Sequence, residues 1–335
     1  MTVQITIIGL GQIGASVGLA LANHKDKVTT VGHDKSPEVA QTAKKIGAVE
    51  RVENNLPASV EAADIVLLAI PADQIHDTLK FIAQDLHPEA VLMDTLPVKA
   101  GLAAWIKELV PPQRYYVGLT PAINPVYVEA PGNGIDRAHA DLFQHSLIGI
   151  SAPLGTPGEA IQLATGLVSL LGAVPYFVDS SEIDGIMATA HLLPQLSAVA
   201  LVNASVDQPG WSDIRKMAGQ HFSLPTSLVA SQEEIGSLSE TALQNRENTV
   251  RVLDSLLAAL TELRNDIARE DRKGLEGRLE HARMGRAQWW AQRLQGDWQT
   301  VERGKQEFPR VSDVIKQQVG GLGQLFRRKD KSDSD

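Results

Sequence analysis

The sequence predicts an α/β domain with a mainly parallel sheet, followed by an all-α domain. Three observations lead there. Apolar strand-like runs alternate with helix-period segments as far as Val178, strand signals then vanish, and the 335 residues exceed the roughly 100–200 that one domain commonly uses. The predicted strands are Val3–Ile8, Lys27–Gly32, Asp64–Ile70, Ala90–Asp94, Tyr115–Gly118, Ser146–Ile150 and Val174–Val178. Between the early ones lie helical patterns at Gln12–Asn23, Pro37–Lys45, Gln74–Gln84 and Val98–Leu109. That alternation is the mark of βαβ units with right-handed crossovers. The run Ile65-Val66-Leu67-Leu68-Ala69-Ile70 is apolar at every position, as a strand covered on both faces should be.

Long helical patterns occupy the chain from Ser181 to Leu294. Ile183–Val206 is apolar almost all round, which predicts a buried helix. Asn245–Arg269 carries Val250, Leu253, Leu256, Leu257 and Leu260 on one face. Such a domain suits a subunit interface, and a homodimer through it is expected, with Trp289 and Trp290 as anchors in its core. The predicted division is residues 1–179, 180–300 and a C-terminal extension 301–335, whose charged end reads as disordered.

Composition removes several classes of function. There is no Cys, so disulfides, thiolate catalysis and Cys-ligated metals are excluded. Forty acidic against 31 basic residues, a net charge of −9, argue against nucleic-acid or anionic-membrane binding. No stretch reads as the roughly 20 apolar residues a membrane span needs, and the N-terminus has no basic flank of a signal peptide. A cytoplasmic protein is expected. No His/Asp/Glu spacing suggests a metal site.

The segment Gly9-Leu10-Gly11-Gln12-Ile13-Gly14 follows a predicted strand, opens a helix, and precedes Asp34 at the end of the second strand. In that context G-x-G-x-x-G is a Rossmann-type dinucleotide fingerprint. Gly9 permits the tight turn, Gly11 leaves the diphosphate unobstructed, and Gly14 lets helix and sheet close up. The helix N-terminus, through Gln12 and Ile13, presents unpaired N–H groups and a positive dipole end to phosphate. Asp34 would accept hydrogen bonds from the adenosine ribose, which favours NAD, with NADP possible because Lys35 and Ser36 stand beside it. Ala69, Ile70 and Pro71 should border the cofactor, since ligands of such sheets lie beyond the strands' carboxyl ends.

Across nearly 290 residues the order of motifs resembles the prephenate/arogenate dehydrogenases of tyrosine biosynthesis. The resemblance is carried by Ile8–Ser16, by Asp94-Thr95-Leu96-Pro97-Val98-Lys99 against Asp-x-x-Ser-x-Lys, and by Ala140-Asp141-Leu142-Phe143. In the helical half it is carried by Ala190-His191-Leu192-Leu193-Pro194-Gln195 against Ser-His-Leu-Pro-His, Trp211–Arg215 and Asn245–Asn248. It implies a nucleotide-binding domain, a helical dimerisation domain, and a small carboxylate substrate that loses hydride, a hydroxyl proton and carbon dioxide as its ring aromatises. Two positions depart from the pattern: Thr120 stands where the family has its catalytic histidine, and Pro97 where it has the supporting serine.

A threonine hydroxyl can orient a substrate but is no base near neutrality, so proton transfer falls to another group. The resemblance points to His191 for that task, to Arg215 for a substrate carboxylate, and to Thr95 for the nicotinamide ribose. His76, His87, His139 and His145 read as surface residues. Two alternatives stay open: an oxidoreductase of the same architecture acting on another hydroxy acid or imine, and a non-catalytic NAD(H)-binding dimer.

Overall fold

The computed structural model describes residues 2–130, 132, 134–230 and 235–296. The expected C-terminal extension 301–335 lies outside them. Eight strands form one sheet: β1 (Val3–Ile8), β2 (Val28–His33), β3 (Arg51–Val52), β4 (Ile65–Leu68), β5 (Val91–Asp94), β6 (Tyr115–Pro121), β7 (Leu147–Ser151) and β8 (Val174–Phe177). Their spatial order is 3-2-1-4-5-6-7-8, and every neighbouring pair is parallel except β6 with β7. The first six follow the dinucleotide-binding order with its switch point between β1 and β4.

Alternation explains why both faces are dry. Ile5, Ile7, Ile65, Leu67, Val91, Met93 and Val117 enter one core; Ile8, Val66, Leu68, Leu92 and Tyr116 enter the other. Helices α1 (Gln12–Leu21), α2 (Pro37–Lys45), α3 (Leu56–Val60), α4 (Ala72–Ile82), α5 (Ala100–Leu109) and α6 (Gly158–Leu170) connect and cover the strands. The α2 start is set locally: Pro37 takes the first turn and the Ser36 hydroxyl accepts from the Val39 N–H. The edge strand β8 accommodates Pro175, which has no N–H to donate. Strand β3, only two residues long, and helices α3 and α6 were absent from the predicted elements.

The second half begins with α7 (Ser180–Met187), a π-helical turn at Ala188–Leu192, and α8 (Leu193–Val206). Pro194 accounts for the widened turn. It cannot donate to the carbonyl four residues back, and its ring crowds that carbonyl, so the helix loosens instead of breaking. Helices α9 (Trp211–Met217), α10 (Gln220–Ala230), α11 (Ile235–Gln244), α12 (Arg246–Ala268) and α13 (Arg272–Gln295) follow.

Three expectations need correction here. The helix expected to be buried all round has only Ile183, Asp184, Ala188, Leu192 and Ala198 buried within the chain. Its whole run Ser180–Val206, 27 residues, is by length and composition apolar enough to cross a membrane, which the sequence reading had excluded. On α12 the buried residues are Thr249, Val252 and Asp266, while Val250, Leu257 and Leu260 face outward. An apolar periodicity reports that a face is covered, and the described residues do not cover these faces.

Helix α1 lies unusually close to the segment entering β3. A side-chain carbon added at Gly18 would stand 1.9 Å from the Ala48 carbonyl oxygen. Gly18→Ala should therefore lower stability by about 1–3 kcal/mol, the ordinary cost of overpacking, read as a lower denaturant midpoint at unchanged slope.

Candidate functional site

Strand register assembles the site. Ile8 lies opposite His33 and Leu68, Leu68 opposite Asp94, and Asp94 opposite Gly118. One row of backbone thus crosses five strands at their carboxyl ends. The next residues along are Gly9, Asp34, Ala69, Thr95 and Leu119, so four of the predicted cofactor positions, Gly9, Asp34, Ala69 and Thr95, stand side by side along one edge of the sheet, its rim.

The three fingerprint glycines answer to different constraints. Gly9 has φ +91°, and a Cβ there would meet the Ala69 carbonyl oxygen at 2.4 Å. A Cβ on Gly14 would meet the Gly9 carbonyl oxygen at 1.9 Å. Gly11 has no neighbour within 4 Å of its missing side chain. The protein itself gives no reason for glycine there, whereas a diphosphate approaching the loop does. Gly11 also caps α1 without a side chain, and the first turn carries no acid, so the amide end stays available to an anion. Gln12 and Ile13 are partly open to solvent in that turn.

Asp34 is fixed by the loop it would serve. One oxygen accepts from the Leu10 N–H and the other from the Ser36 N–H, each at 2.8 Å. A carboxylate has about four acceptor sites, which leaves capacity for sugar hydroxyls. Ala69 and Ile70 continue from β4, and Pro71 begins α4, whose first N–H, from Ala72, donates to the Ser237 hydroxyl of α11 at 3.1 Å. The loop after β4 is thereby held by the helical half. Thr95 is half-buried and shares the lining of a small apolar cavity with Ile13, Leu119 and Pro121.

Thr120 is 7% exposed, and its hydroxyl is turned toward the Leu96 carbonyl at 3.5 Å. Pro97 is partly exposed on the loop after β5. Behind these two positions is a cluster to which the sequence reading gave no role. Lys99 is fully buried, and its ammonium donates to Asp94 Oδ1 at 2.6 Å, to the Leu96 carbonyl at 2.6 Å and to the Leu119 carbonyl at 2.7 Å. The Tyr116 hydroxyl donates to Asp94 Oδ2 at 2.8 Å. Burial pushes the Lys99 amine below the usual lysine range, with Asp94 opposing it. Burial, and then Asp94, push the Tyr116 phenol well above its usual value. Asp184, from α7, accepts the N–H groups of Lys99 at 2.7 Å and Ala100 at 3.0 Å, capping α5 from another helix. Its carboxyl is raised by burial, against those two hydrogen bonds. The signal available in the sequence was Lys99 itself, a cation within the β5–α5 connection.

His191 lies in the π turn with its side chain open to solvent, while the surrounding protein lowers its pKa below 6.5 by desolvation. Arg215 is exposed on α9, its Nε directed to the Ser212 carbonyl at 3.4 Å; Asp213 pairs with Lys216 instead. Within one chain α9 has no extensive packing on any strand, so Arg215 is not brought to the rim. His139, expected at the surface, is half-buried and stacked on Tyr127 with ring centroids 4.1 Å apart. Its backbone N–H donates to Ser16 of α1, which explains the placement. His76 is likewise half-buried, against Trp105, while His87 and His145 are exposed. Among the described residues no group of three or more His, Asp or Glu is placed to hold a metal. A separate hollow of about 400 Å³ beside β8 has Asp179 and Glu182 on its rim, a poor complement to an anion.

A fingerprint loop at the switch point and a helical second half define the class: a nucleotide-binding α/β domain coupled to an all-α domain. Residues 17–177 match the family described as "Prephenate dehydrogenase, nucleotide-binding domain", and residues 179–281 the one described as "Prephenate dehydrogenase, dimerization domain". The chain belongs to the prephenate dehydrogenase family of oxidoreductases. It is 27% identical over 270 residues to the cyclohexadienyl dehydrogenase of Zymomonas mobilis, covering 80% of this chain and 89% of that one. Against the prephenate dehydrogenase of Bacillus subtilis it is 22% identical over 275 residues, covering 81% and 72%. Among solved structures, prephenate dehydrogenase from A. aeolicus in complex with hydroxyphenyl propionate and NAD+ superimposes with a TM-score of 0.75 at 21% identity, over 86% of this chain and 98% of that one. Synechocystis arogenate dehydrogenase gives 0.67 at 21%, over 85% and 99%.

The family match begins beyond Gly14, so the loop is best tested on its own geometry. Gly11→Ala should leave the melting temperature within about 2 °C of wild type, as a change clear of packing does. Its NAD+ affinity by calorimetry should fall at least about tenfold, because the methyl group occupies diphosphate space.

Proposed function

We propose that the chain oxidises and decarboxylates prephenate or arogenate with NAD in the cytoplasm, NADP being a possible substitute. The observation that carries the reading is the tandem family match joined to a loop whose Gly11 is open for a ligand and not for packing. The names of the relatives as cyclohexadienyl and prephenate dehydrogenases, and the NAD+ in the A. aeolicus complex, support it.

The residues present suit the dinucleotide. Gly9, Gly11, Gln12, Ile13 and Gly14 would hold its diphosphate and Asp34 its adenosine ribose, with Ala69, Ile70, Pro71 and Thr95 along the rim. When bound, it supplies the hydride acceptor. In the reaction the substrate's ring hydroxyl gives up its proton as the carbon bearing that hydroxyl gives up hydride; the carboxylate then leaves as carbon dioxide, its bonding electrons make the ring aromatic, and the ring oxygen takes a proton back. His191 is the base we assign. It is solvent-reachable, and the desolvation that lowers its pKa favours the neutral, proton-accepting form. Thr120, its hydroxyl turned toward the Leu96 carbonyl, is assigned to orienting the substrate. Arg215, which the fold of one chain does not bring to the rim, is assigned to the substrate carboxylate on the family resemblance alone.

The outward apolar faces of α8 and α12 are assigned to a second copy of the chain, in keeping with the family description of residues 179–281 as a dimerization domain. A membrane would cover the apolar run Ser180–Val206 equally well in length, but it would not account for the outward leucines of α12.

Four outcomes follow. Prephenate or arogenate with NAD+ should give a rise in NADH absorbance, and silence with both, in NAD+ and NADP+, sinks the reading. His191→Gln should lower kcat by about 10²–10⁴-fold while calorimetric NAD+ affinity stays unchanged. Because the neutral form acts as base and desolvation lowers its pKa, activity should fall on the acid side with its half-point below pH 6.5; a half-point above 6.5 rules His191 out. Light scattering should give twice the chain mass, and Leu257→Glu with Leu260→Glu should halve it.

A further inference from the structure

Lys99 stands at a junction that joins the two halves of the site. Its ammonium holds the carbonyls of Leu96 and Leu119, the residues immediately before Pro97 and Thr120. Its backbone N–H is held by Asp184. Asp184 and His191 share the uninterrupted helical run Ser180–Val206, about two turns apart. Asn245 of the helical half reinforces the contact, donating to the Asp184 carbonyl at 2.7 Å. The chain makes room for the lysine stem. A Cβ on Gly118 would fall 2.7 Å from Lys99 Cδ and 2.9 Å from the Tyr116 hydroxyl.

All three ammonium protons are therefore spent on fixed acceptors, two of them backbone carbonyls from different strand ends. A buried ammonium needs an acceptor for each of its protons, and here two of the three are backbone carbonyls of separate segments. Those bonds lock the loop after β5 to β6, and the Asp184 bonds lock that same loop to the helix carrying His191.

We propose that Lys99 is a positioning residue and Asp184 its counterpart, together setting the distance from the rim of strand ends to the His191 imidazole. The inference rests on the reading above, in which the dinucleotide lies along that rim and His191 takes the proton. Neither Lys99 nor Asp184 touches substrate; both act through the backbone they hold.

The test uses full-length protein with two variants. Asp184→Asn removes one of the two acceptors at the start of α5. Asp94→Asn with Lys99→Met removes both charges together, so that no carboxylate is left buried and unpaired. Each variant is measured for NAD+ affinity by calorimetry, for kcat and KM, and for the His191 imidazole signal by NMR, assigned through His191→Gln. NAD+ affinity should stay within about threefold of wild type while kcat falls by about 10²-fold, the scale of a misplacement near 1 Å. The His191 signal should move on NAD+ addition to wild type and lose most of that movement in both variants.

Unchanged kcat in either variant overturns the proposal. So does a parallel loss of NAD+ affinity, kcat and melting temperature, which marks a merely structural pair. A wild-type His191 signal that ignores bound NAD+ overturns it as well. If wild-type protein binds NAD+ but turns over neither prephenate nor arogenate, the functional reading fails, and the NMR comparison still decides this one.

Discussion

One buried ammonium constrains most of what surrounds it. Removing an ion from water costs several kcal/mol even after relaxation, and the cost is offset only when every donor finds an acceptor. Lys99 meets that condition with one carboxylate oxygen and two carbonyls, and Asp94 meets it with Lys99, the Leu96 N–H and the Tyr116 hydroxyl. Because each partner is used, none can shift without leaving a buried polar group unsatisfied. The ends of β5 and β6, the loop between β5 and α5, and the start of α5 are consequently one rigid object.

The helical half is fastened to that object and to the neighbouring loop by backbone contacts. Asp184 caps α5, Ser237 accepts from the first turn of α4, and a Cβ on Gly236 would stand 2.4 Å from the Asp73 carboxylate. These are hydrogen bonds and close approaches, with little tolerance for sliding. The helix so fastened also carries His191, in a turn that Pro194 widens.

Legibility in the sequence followed the range of the interaction. The first βαβ unit was readable because its determinants are local: Gly9, Gly11 and Gly14 lie within one turn and helix, and Ser36-Pro37 starts α2 with its own cap. The roles of Asp94, Lys99 and Asp184 were not readable, since Lys99 and Asp184 are partners 85 positions apart and only the folded sheet brings them together. Strand β3 was missed because two residues carry no periodicity. His139 was misplaced because its burial depends on a loop crossing α1 to reach Ser16. The helical domain reads as a homodimer interface, in keeping with its family description, but apolar periodicity does not separate the residues buried within one chain from those left outward.

That last feature reaches beyond the site. Where a second copy covers the outward side of the long apolar rod Ser180–Val206, part of the burial that stabilises the fold belongs to the pair and not to the single chain. The protein's resistance to heat then becomes a matter of mass action, rising with protein concentration. A nascent copy released far from its siblings is the species most exposed to clumping and to proteases.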